Sequence, residues 1–298
     1  MKTYRFLQVD AFTTERFAGN PAAVVFDADD IPATSMQAIA REMNLSETVF
    51  VVRPTLPEAD YRARIFTPRS EIPFAGHPTV ATAFAMLEEN RVKSRATPFT
   101  LMQECGIGVV PVETARDAEG WSFVMTQGAP KFTAIDLPLE RRAQALQRSV
   151  ADMVGTPACI VSTGLPWLVF GVATPQALAA AQPNHAIIEQ IAPGHKIAGI
   201  SVFSLGALAA GCTVKVRSFA PAEGVPEDPV CGSGNGCVAA YIAHHNLLGR
   251  PEFAYWSEQG TEMQRPGRVY AEATPVRDSH RIRIGGRAIT ALEGNFAV

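Results

Sequence analysis

Two stretches of this chain place an acidic residue and a proline before a turn of small residues and an apolar run. They read EIPFAGHPTVATAFAM at residues 71–86 and EDPVCGSGNGCVAAYIA at residues 227–243. After the glycine of the turn, the first stretch carries His77 and the second carries Ser233. An imidazole can donate to or accept from a substrate, whereas a serine hydroxyl supplies a hydrogen bond. The same position in the two stretches therefore suits two different chemical tasks.

Each of these turns predicts the start of a helix. Pro78 suits the first helical turn, where a missing N–H costs nothing, and Gly232, Gly234 and Gly236 let backbone N–H groups converge. A helix start carries partial positive charge and is a natural seat for a carboxylate. The glycines are equally compatible with a simple requirement for a tight turn. No lysine follows them, so the turn is not a nucleotide phosphate loop.

The similarity of the two stretches extends beyond the helices. Aligning Gly76 with Gly232 also aligns Glu71 with Glu227. The flanking segments match in the same order: RIFTP (64–68) with RSFAP (217–221), and FTLMQECG (99–106) with FAYWSEQG (253–260). Several matches in one order predict an internal duplication whose long period gives two similar lobes. If the lobes face each other, the two helix starts meet across one cleft.

The remaining sequence reads mostly as strands ended by Gly, Pro or Asp, with polar helices at ATSMQAIAREMN (33–44) and LERRAQALQRSVADMVG (139–155). The runs at 78–89 and 235–249 are apolar almost all round, which predicts helices enclosed on every side. We predict an α+β fold in which each lobe is a β-barrel-like sheet around one buried helix. The predicted lobes are residues 1–117 and 118–298, divided just before a turn at Glu119–Trp121, with the last strand packing on the first lobe.

Composition limits the class of protein. The 298 residues are 47% hydrophobic, carry a net charge of −3, and contain no basic cluster or apolar signal core, which predicts a soluble cytoplasmic protein that binds neither nucleic acid nor membrane. The five cysteines form no CxxC pair and have no zinc spacing, so we expect reduced thiols and no metal site. Dinucleotide patterns are also missing, so we expect no cofactor.

Five motifs together resemble the phenazine-biosynthesis isomerase (PhzF-like) family, over nearly the whole chain. They are DAFTTERFAGNPAAVV (10–25), NLSETVFV (44–51), IFTPRSEIPFAGHPT (65–79), EDPVCGSGNG (227–236) and EQGTEMQRPGR (258–268). That family shares its fold with diaminopimelate epimerase and proline racemase. The resemblance implies two lobes of the kind described above, an active site in the cleft between them, and a homodimer.

The resemblance also implies roles for four catalytic candidates, which are Glu47, His77, Asp228 and Ser233. Glu47 matches the general acid/base of the family, although a glutamate at a strand is otherwise typical of a surface residue. His77 matches an active-site histidine. Asp228 matches an aspartate that lines the active site, although it also suits a cap on the turn before Pro229.

The role of the catalytic candidate Ser233 and those of the substrate-binding candidates Gly76, Gly232 and Asn20 follow from the same resemblance. The hydroxyl of Ser233, together with the N–H groups of Gly76 and Gly232, is expected to contact substrate, although Ser233 also suits an ordinary helix cap. Asn20 lies in a loop that borders the cleft in the resemblance, and it also suits simple turn chemistry.

Cys231 departs from the family, whose members commonly have threonine here, whereas the two-thiol epimerases have a catalytic cysteine. A thiol at a helix start is expected to have a lowered pKa and to be a better base. The matching position in the first lobe is Ala75, so a symmetric two-thiol racemase is excluded. Cys231 is then a passive, substrate-lining substitute or one base opposite Glu47, and we favour the passive interpretation.

These observations predict a cofactor-independent isomerase of a small carboxylated metabolite, with Glu47 removing and returning a proton. Two alternatives stay open. One is an amino-acid or hydroxy-acid epimerase that uses Cys231, and the other is a non-catalytic metabolite-binding protein of the same fold.

Overall fold

Strands rich in β-branched and aromatic residues make up most of the chain. The computed structural model describes residues 2–93 and 95–298. Contacts divide it into unit 1, which holds the residues up to Met125 together with Gly285–Val298, and unit 2, which holds Thr126–Ile284. Both units mix α-helices with β-strands.

Unit 1 contains most of the first half of the sequence. Its elements are β1 (Thr3–Ala11), β2 (Asn20–Val25), α1 (Ala33–Met43), β3 (Glu47–Val52), β4 (Tyr61–Phe66), β5 (Glu71–Ile72), α2 (Gly76–Glu88), β6 (Phe99–Cys105), β7 (Gly108–Asp117) and β8 (Gly120–Thr126).

Unit 2 follows directly after β8. Its elements are β9 (Lys131–Ala134), α3 (Leu139–Leu146), β10 (Cys159–Ser162), β11 (Pro166–Gly171), α4 (Pro175–Ala179), α5 (His185–Glu189), β12 (Gly199–Leu205), β13 (Val214–Ala220), β14 (Val225–Asp228), α6 (Gly232–His244), β15 (Phe253–Gln259) and β16 (Gly267–Val276). The last strand, β17 (Ser279–Ala297), begins in unit 2 and ends in unit 1.

The strands of unit 1 close into a β-barrel. β1–β2, β3–β4, β6–β7 and β7–β8 are antiparallel, and β2–β3 and β4–β6 are parallel. β17 pairs with both β1 and β8 and so completes the ring.

Unit 2 repeats this order of pairings. β10–β11, β12–β13 and β15–β16 are antiparallel, and β11–β12 and β13–β15 are parallel. Each parallel or antiparallel pairing thus matches its counterpart in unit 1, from β1–β2 through β6–β7. This is the pattern expected of the duplication that the sequence predicts.

Helix α2 has no polar face. All residues from His77 to Leu87 are buried, and the helix contacts β1, β2, β3, β4 and β6. Its threonines satisfy their hydroxyls locally, because Thr79 donates to the carbonyl of Ala75 and Thr82 to that of Pro78. Helix α6 is equally buried, from Gly234 to Ala243, as its apolar sequence predicts.

The aligned arginines of the duplicated segments make the same ion pair in both units. The guanidinium of Arg64 donates two hydrogen bonds to Glu71, at 2.9 and 2.8 Å, and that of Arg217 donates two to Glu227, at 2.8 and 2.9 Å. Such paired hydrogen bonds fix the short strands β5 and β14 against β4 and β13. The acidic residues that precede each helix start therefore have a structural role.

Several element boundaries agree with the sequence and others differ. Helix α1 ends at Met43, and its C-cap Asn44 is left-handed, as expected of a helix terminus. Helix α6 ends at His244, earlier than the predicted 249, and left-handed Asn246 follows it. The contact units divide after Met125, because β8 forms a hairpin with β7, and the lobes 1–117 and 118–298 stay a prediction. Among the described residues, no helix is long and apolar enough to span a membrane.

Candidate active site

Glu47 is the first residue of β3, and the chain before it is fixed by two contacts. The N–H of Asn44, just after α1, donates to the carbonyl of Ala40, and the hydroxyl of Ser46 donates to Oδ1 of Asn20 at 3.2 Å. Asn20 is fully buried at the start of β2, and Ala22 of that strand is the parallel partner of Glu47. Asn20, predicted to bind substrate, thus helps to position the strand end that carries Glu47.

Glu47 and His77 meet inside unit 1. Oε2 of Glu47 lies 3.0 Å from Nε2 of His77, and the two side chains are 14% and 8% exposed. The distance is that of an ion pair, but the geometry at the buried Oε2 atom of Glu47 is not that of a hydrogen bond. A carboxylate and an imidazole this close form the kind of pair that general acid/base catalysis uses.

The start of α2 places His77. Ala75 is the residue before the helix, with an extended backbone and no side-chain cap on the helix N-terminus. Gly76 and His77 are therefore the first two helical residues, and Pro78 contributes no N–H. The positive end of the helix dipole lies at the base of the Glu47–His77 pair.

The other predicted residues lie together in unit 2. Asp228 ends β14 and accepts a hydrogen bond from the N–H of Val230 at 3.0 Å. Cys231 is the residue before α6, and its Sγ accepts from the N–H of Gly234 at 3.3 Å. The Oγ of Ser233 lies 3.5 Å from that Sγ.

Burial, and after it the nearby charge of Asp228, raise the pKa of the Cys231 thiol well above its ordinary value near 9. The hydrogen bonds from Ser233 and Gly234 act in the opposite direction but have smaller effects. The expected lowering of this pKa is therefore wrong, because desolvation outweighs the helix start. A thiol that stays protonated is a poor base, and it serves here as a helix cap.

One glycine of this turn, Gly234, is required for packing. Gly232 is the first residue of α6 and is buried. A β-carbon on Gly234 would collide with the hydroxyls of Ser201 and Ser218, which are 2.9 Å from each other. The interpretation that the glycines allow a tight turn is thus correct for Gly234.

Gln259, for which the sequence predicted no role, holds the turn in place. Its Nε2 donates to the carbonyl of Asp228 at 2.9 Å, and its Oε1 accepts from the N–H of Cys231 at 3.2 Å and from Asn235 at 2.8 Å. Because this buried amide contacts both ends of the Asp228–Cys231 turn, it fixes the start of α6. The signal was a run of polar residues ending the otherwise apolar strand FAYWSEQG.

The predicted site residues thus form two groups. Asn20, Glu47, Gly76 and His77 lie in unit 1, and Asp228, Cys231, Gly232 and Ser233 lie in unit 2. A shared cleft stays a prediction. In residues 2–93 and 95–298, no group of three or more His, Cys, Asp or Glu side chains is placed to hold a metal ion.

Comparison with known proteins extends the sequence resemblance. The family described as phenazine biosynthesis-like protein matches residues 9–294. Trans-2,3-dihydro-3-hydroxyanthranilate isomerase of Pseudomonas chlororaphis is 35% identical over 301 residues, covering 99% of this chain and 100% of the relative. An uncharacterized isomerase of Clostridium acetobutylicum is 31% identical and covers 100% of this chain and 99% of its own.

Solved structures agree with this grouping. A PhzF-family phenazine biosynthesis protein of Bacillus anthracis superposes with a TM-score of 0.91 at 29% identity, covering 100% of both chains. A hydroxyproline epimerase of Agrobacterium vitis shares only the fold, with a TM-score of 0.63 at 14% identity over 99% of this chain and 91% of that one. Because the family match spans nearly the whole chain and the fold agrees with it, the chain belongs to the phenazine biosynthesis-like (PhzF) family of isomerases.

Proposed function

We propose that this protein is a cofactor-independent isomerase of a small carboxylated metabolite, in which Glu47 removes a proton from carbon and returns it elsewhere. The observation that carries the proposal is the 3.0 Å contact between the partly buried carboxylate of Glu47 and the imidazole of His77. A carboxylate in such a position accepts a proton, and the adjacent imidazole receives or supplies it as the reaction proceeds.

The helix starts supply the electrostatic part of the proposal. A carbon acid ionises poorly in water, and negative charge builds on the neighbouring carboxylate and carbons as the proton leaves. The N-terminal end of α2, which lacks a side-chain cap, stabilises that charge beside Glu47. In unit 2, the start of α6 with the Ser233 hydroxyl offers a second seat for an anionic oxygen.

The substrate class follows from this chemistry and from the relatives. The name of the Pseudomonas chlororaphis relative describes a substrate with a carboxylate and a hydroxyl on a partly reduced ring. We propose that this chain accepts a small molecule with a carboxylate next to an activated C–H bond. Trans-2,3-dihydro-3-hydroxyanthranilate is the first compound to test, followed by other cyclic and linear unsaturated carboxylates.

The architecture is part of the proposal. We propose two pseudo-symmetric lobes derived by duplication, each a sheet around its helix, and the matching pairings of β1–β7 and β10–β16 support this. The predicted homodimer and cytoplasmic location stay predictions.

The test is turnover by purified protein on a panel of such carboxylates, with product detected by absorbance and mass spectrometry. Glu47→Gln keeps the shape of the side chain but removes the base, so we expect kcat to fall by roughly 10²–10⁴-fold. Glu42→Gln, at an exposed glutamate on α1, is the matched control and should retain full activity.

The rivals give different results in the same assay. A non-catalytic binding protein would bind a panel member without forming product in any variant. An epimerase that uses Cys231 would invert a stereocentre and would lose activity in Cys231→Ser. Full turnover by Glu47→Gln would contradict the proposed role.

A further inference from the structure

The position of Glu47 has a counterpart in unit 2 that carries no acid. Phe66 and Phe219 are aligned by the duplication, and their strand partners are Thr48 and Ile200. The residues before those partners are Glu47 and Gly199, so Gly199 occupies the place of the carboxylate. A β-carbon on Gly199 would collide with the backbone of Phe219 and Ala220, so this position cannot hold a side chain.

The neighbouring strand supplies a different side chain at this place. In unit 1 the parallel partner of Glu47 is Ala22, whereas in unit 2 the parallel partner of Gly199 is Trp167. Trp167 is 3% exposed, and its Nε1 donates to the Oγ of Ser233 at 3.1 Å. The helix-start residue therefore contacts an acid in unit 1 and an indole N–H in unit 2.

The direction of this hydrogen bond is fixed by chemistry. An indole N–H only donates, so it occupies a lone pair of the Ser233 oxygen and the hydroxyl proton must point elsewhere. The Sγ of Cys231, at 3.5 Å, is one acceptor within reach, and an oxygen of a bound molecule would be another. Because Ser233 is only partly buried while Trp167 is closed off from solvent, a ligand can reach the hydroxyl.

We propose that Trp167 is a positioning residue that makes Ser233 a hydrogen-bond donor to an anionic oxygen of the substrate. A hydroxyl that accepts from one donor is polarised and donates more strongly to the next acceptor. The inference rests on the proposed function. It makes the proposed substrate class more specific, because the group that Ser233 binds is then a carboxylate or enolate oxygen.

The test uses Trp167→Phe, which keeps an aromatic ring and removes only the N–H. We expect a loss of about five- to tenfold in kcat, with KM changed by less than about twofold, because the hydrogen bond strengthens as charge builds in the transition state. Trp121→Phe and Trp256→Phe are the matched controls, since they remove the other two indoles of the chain, and they should retain kcat.

A double-mutant cycle separates positioning from packing. In a Ser233→Ala background, Trp167→Phe should cause no further loss, because the hydroxyl that the indole orients is gone. An equal loss in both backgrounds, or full kcat in Trp167→Phe alone, would overturn the proposal. Glu47→Gln distinguishes the two proposals: full turnover there defeats the proposed function, whereas loss there with an unchanged Trp167→Phe defeats only this inference.

Fluorescence gives a second readout that does not need Trp167→Phe to fold. In the Trp121→Phe/Trp256→Phe protein, Trp167 is the single fluorophore. Ser233→Ala should shift its emission to shorter wavelength, because the indole loses its hydrogen-bond acceptor. Emission that is unchanged by Ser233→Ala would show that the indole does not bind the hydroxyl and would overturn the proposal.

Discussion

The two units repeat one architecture but present different chemistry at the start of the buried helix. In unit 1, His77 lies 3.0 Å from Glu47. In unit 2, Ser233 accepts from Trp167, and Gly199 stands where the acid would be. The difference teaches that the two units share their strand pairings, whereas the acid and the imidazole that we propose to transfer protons occur together in unit 1.

The retained features are structural. In both units a buried polar pair joins the helix to the following strand, Gln103 with Thr79 and Ser257 with Asn235. The next residue of the strand is a glutamate in both units, and its carboxylate accepts hydrogen bonds from two backbone N–H groups. Glu104 accepts from Thr55 and Leu56, and Glu258 accepts from Leu208 and Ala209. Such contacts satisfy buried polar groups, so losing them would destabilise either unit.

The largest expected effect comes from the arginine–glutamate ion pair that occurs once in each unit. Arg217 and Glu227 are 5% and 13% exposed, whereas Arg64 and Glu71 are 24% and 42% exposed. Arg217 also donates to the carbonyls of Leu178 and Ala181. We expect Arg217→Ala to lower the free energy of unfolding by about 3–5 kcal/mol, because it leaves Glu227 buried without its cation.

Arg64→Ala is the matched variant in unit 1, and we expect a loss of about 1 kcal/mol or less, because water screens that pair. Urea unfolding followed by circular dichroism measures both. Equal losses in the two variants would mean that burial does not distinguish the units.

The catalytic comparison is sharpened by changing the two helix-start residues. We expect His77→Gln to lower kcat by about 100-fold or more, because it removes a group that exchanges protons. Ser233→Ala should lower kcat by about ten- to thirtyfold, since it removes one hydrogen bond to developing charge. Steady-state kinetics checks both, and a larger loss in Ser233→Ala would reverse the assignment of tasks to the units.

The smallest expected effect concerns the C-terminal ends of α2 and α6. His245 follows α6 where Glu89 follows α2, and Glu89 pairs with Arg5 at 2.9 Å, whereas the His245 ring lies 4.4 Å from the Tyr241 ring. Burial, and after it the charge of His244, lower the pKa of His245 below its ordinary 6.5.

A histidine with a lowered folded pKa stabilises the protein above about pH 6.5, and this contribution is lost as pH falls through the folded pKa. Between about pH 7.5 and pH 5.5 we therefore expect the Tm of the wild type to fall by about 1–2 °C more than that of His245→Gln. Thermal scans measure the difference, and identical pH dependence in the two proteins would show that His245 does not titrate in this range.

The sequence predicted the fold better than it predicted the site. Repeated motifs and two apolar runs were enough to indicate the duplication and the helices, because burial on all sides leaves a direct record in composition. The family motifs indicated Glu47 and His77, which the structure brings together. Their 3.0 Å contact depends on pairing between residues that lie far apart in sequence, so the spacing of the motifs could not predict it.

The failures concern residues whose role depends on tertiary contacts. The pKa of Cys231 was expected to be low from its helix position alone, whereas burial raises it. Gln259 and Trp167 carry no local motif for their contacts with the Asp228–Cys231 turn and with Ser233. Gly199 gives no signal until strand register aligns it with Glu47.

Exchange of substrate hydrogen with deuterated water tests the central claim most directly, once a substrate is in hand. It compares Glu47→Gln with Cys231→Ser, which keeps a hydroxyl to cap α6. We expect deuterium incorporation at carbon to fall by at least about 100-fold in Glu47→Gln and by less than about threefold in Cys231→Ser. Exchange that persists in Glu47→Gln and disappears in Cys231→Ser would assign the base to unit 2 and contradict the account.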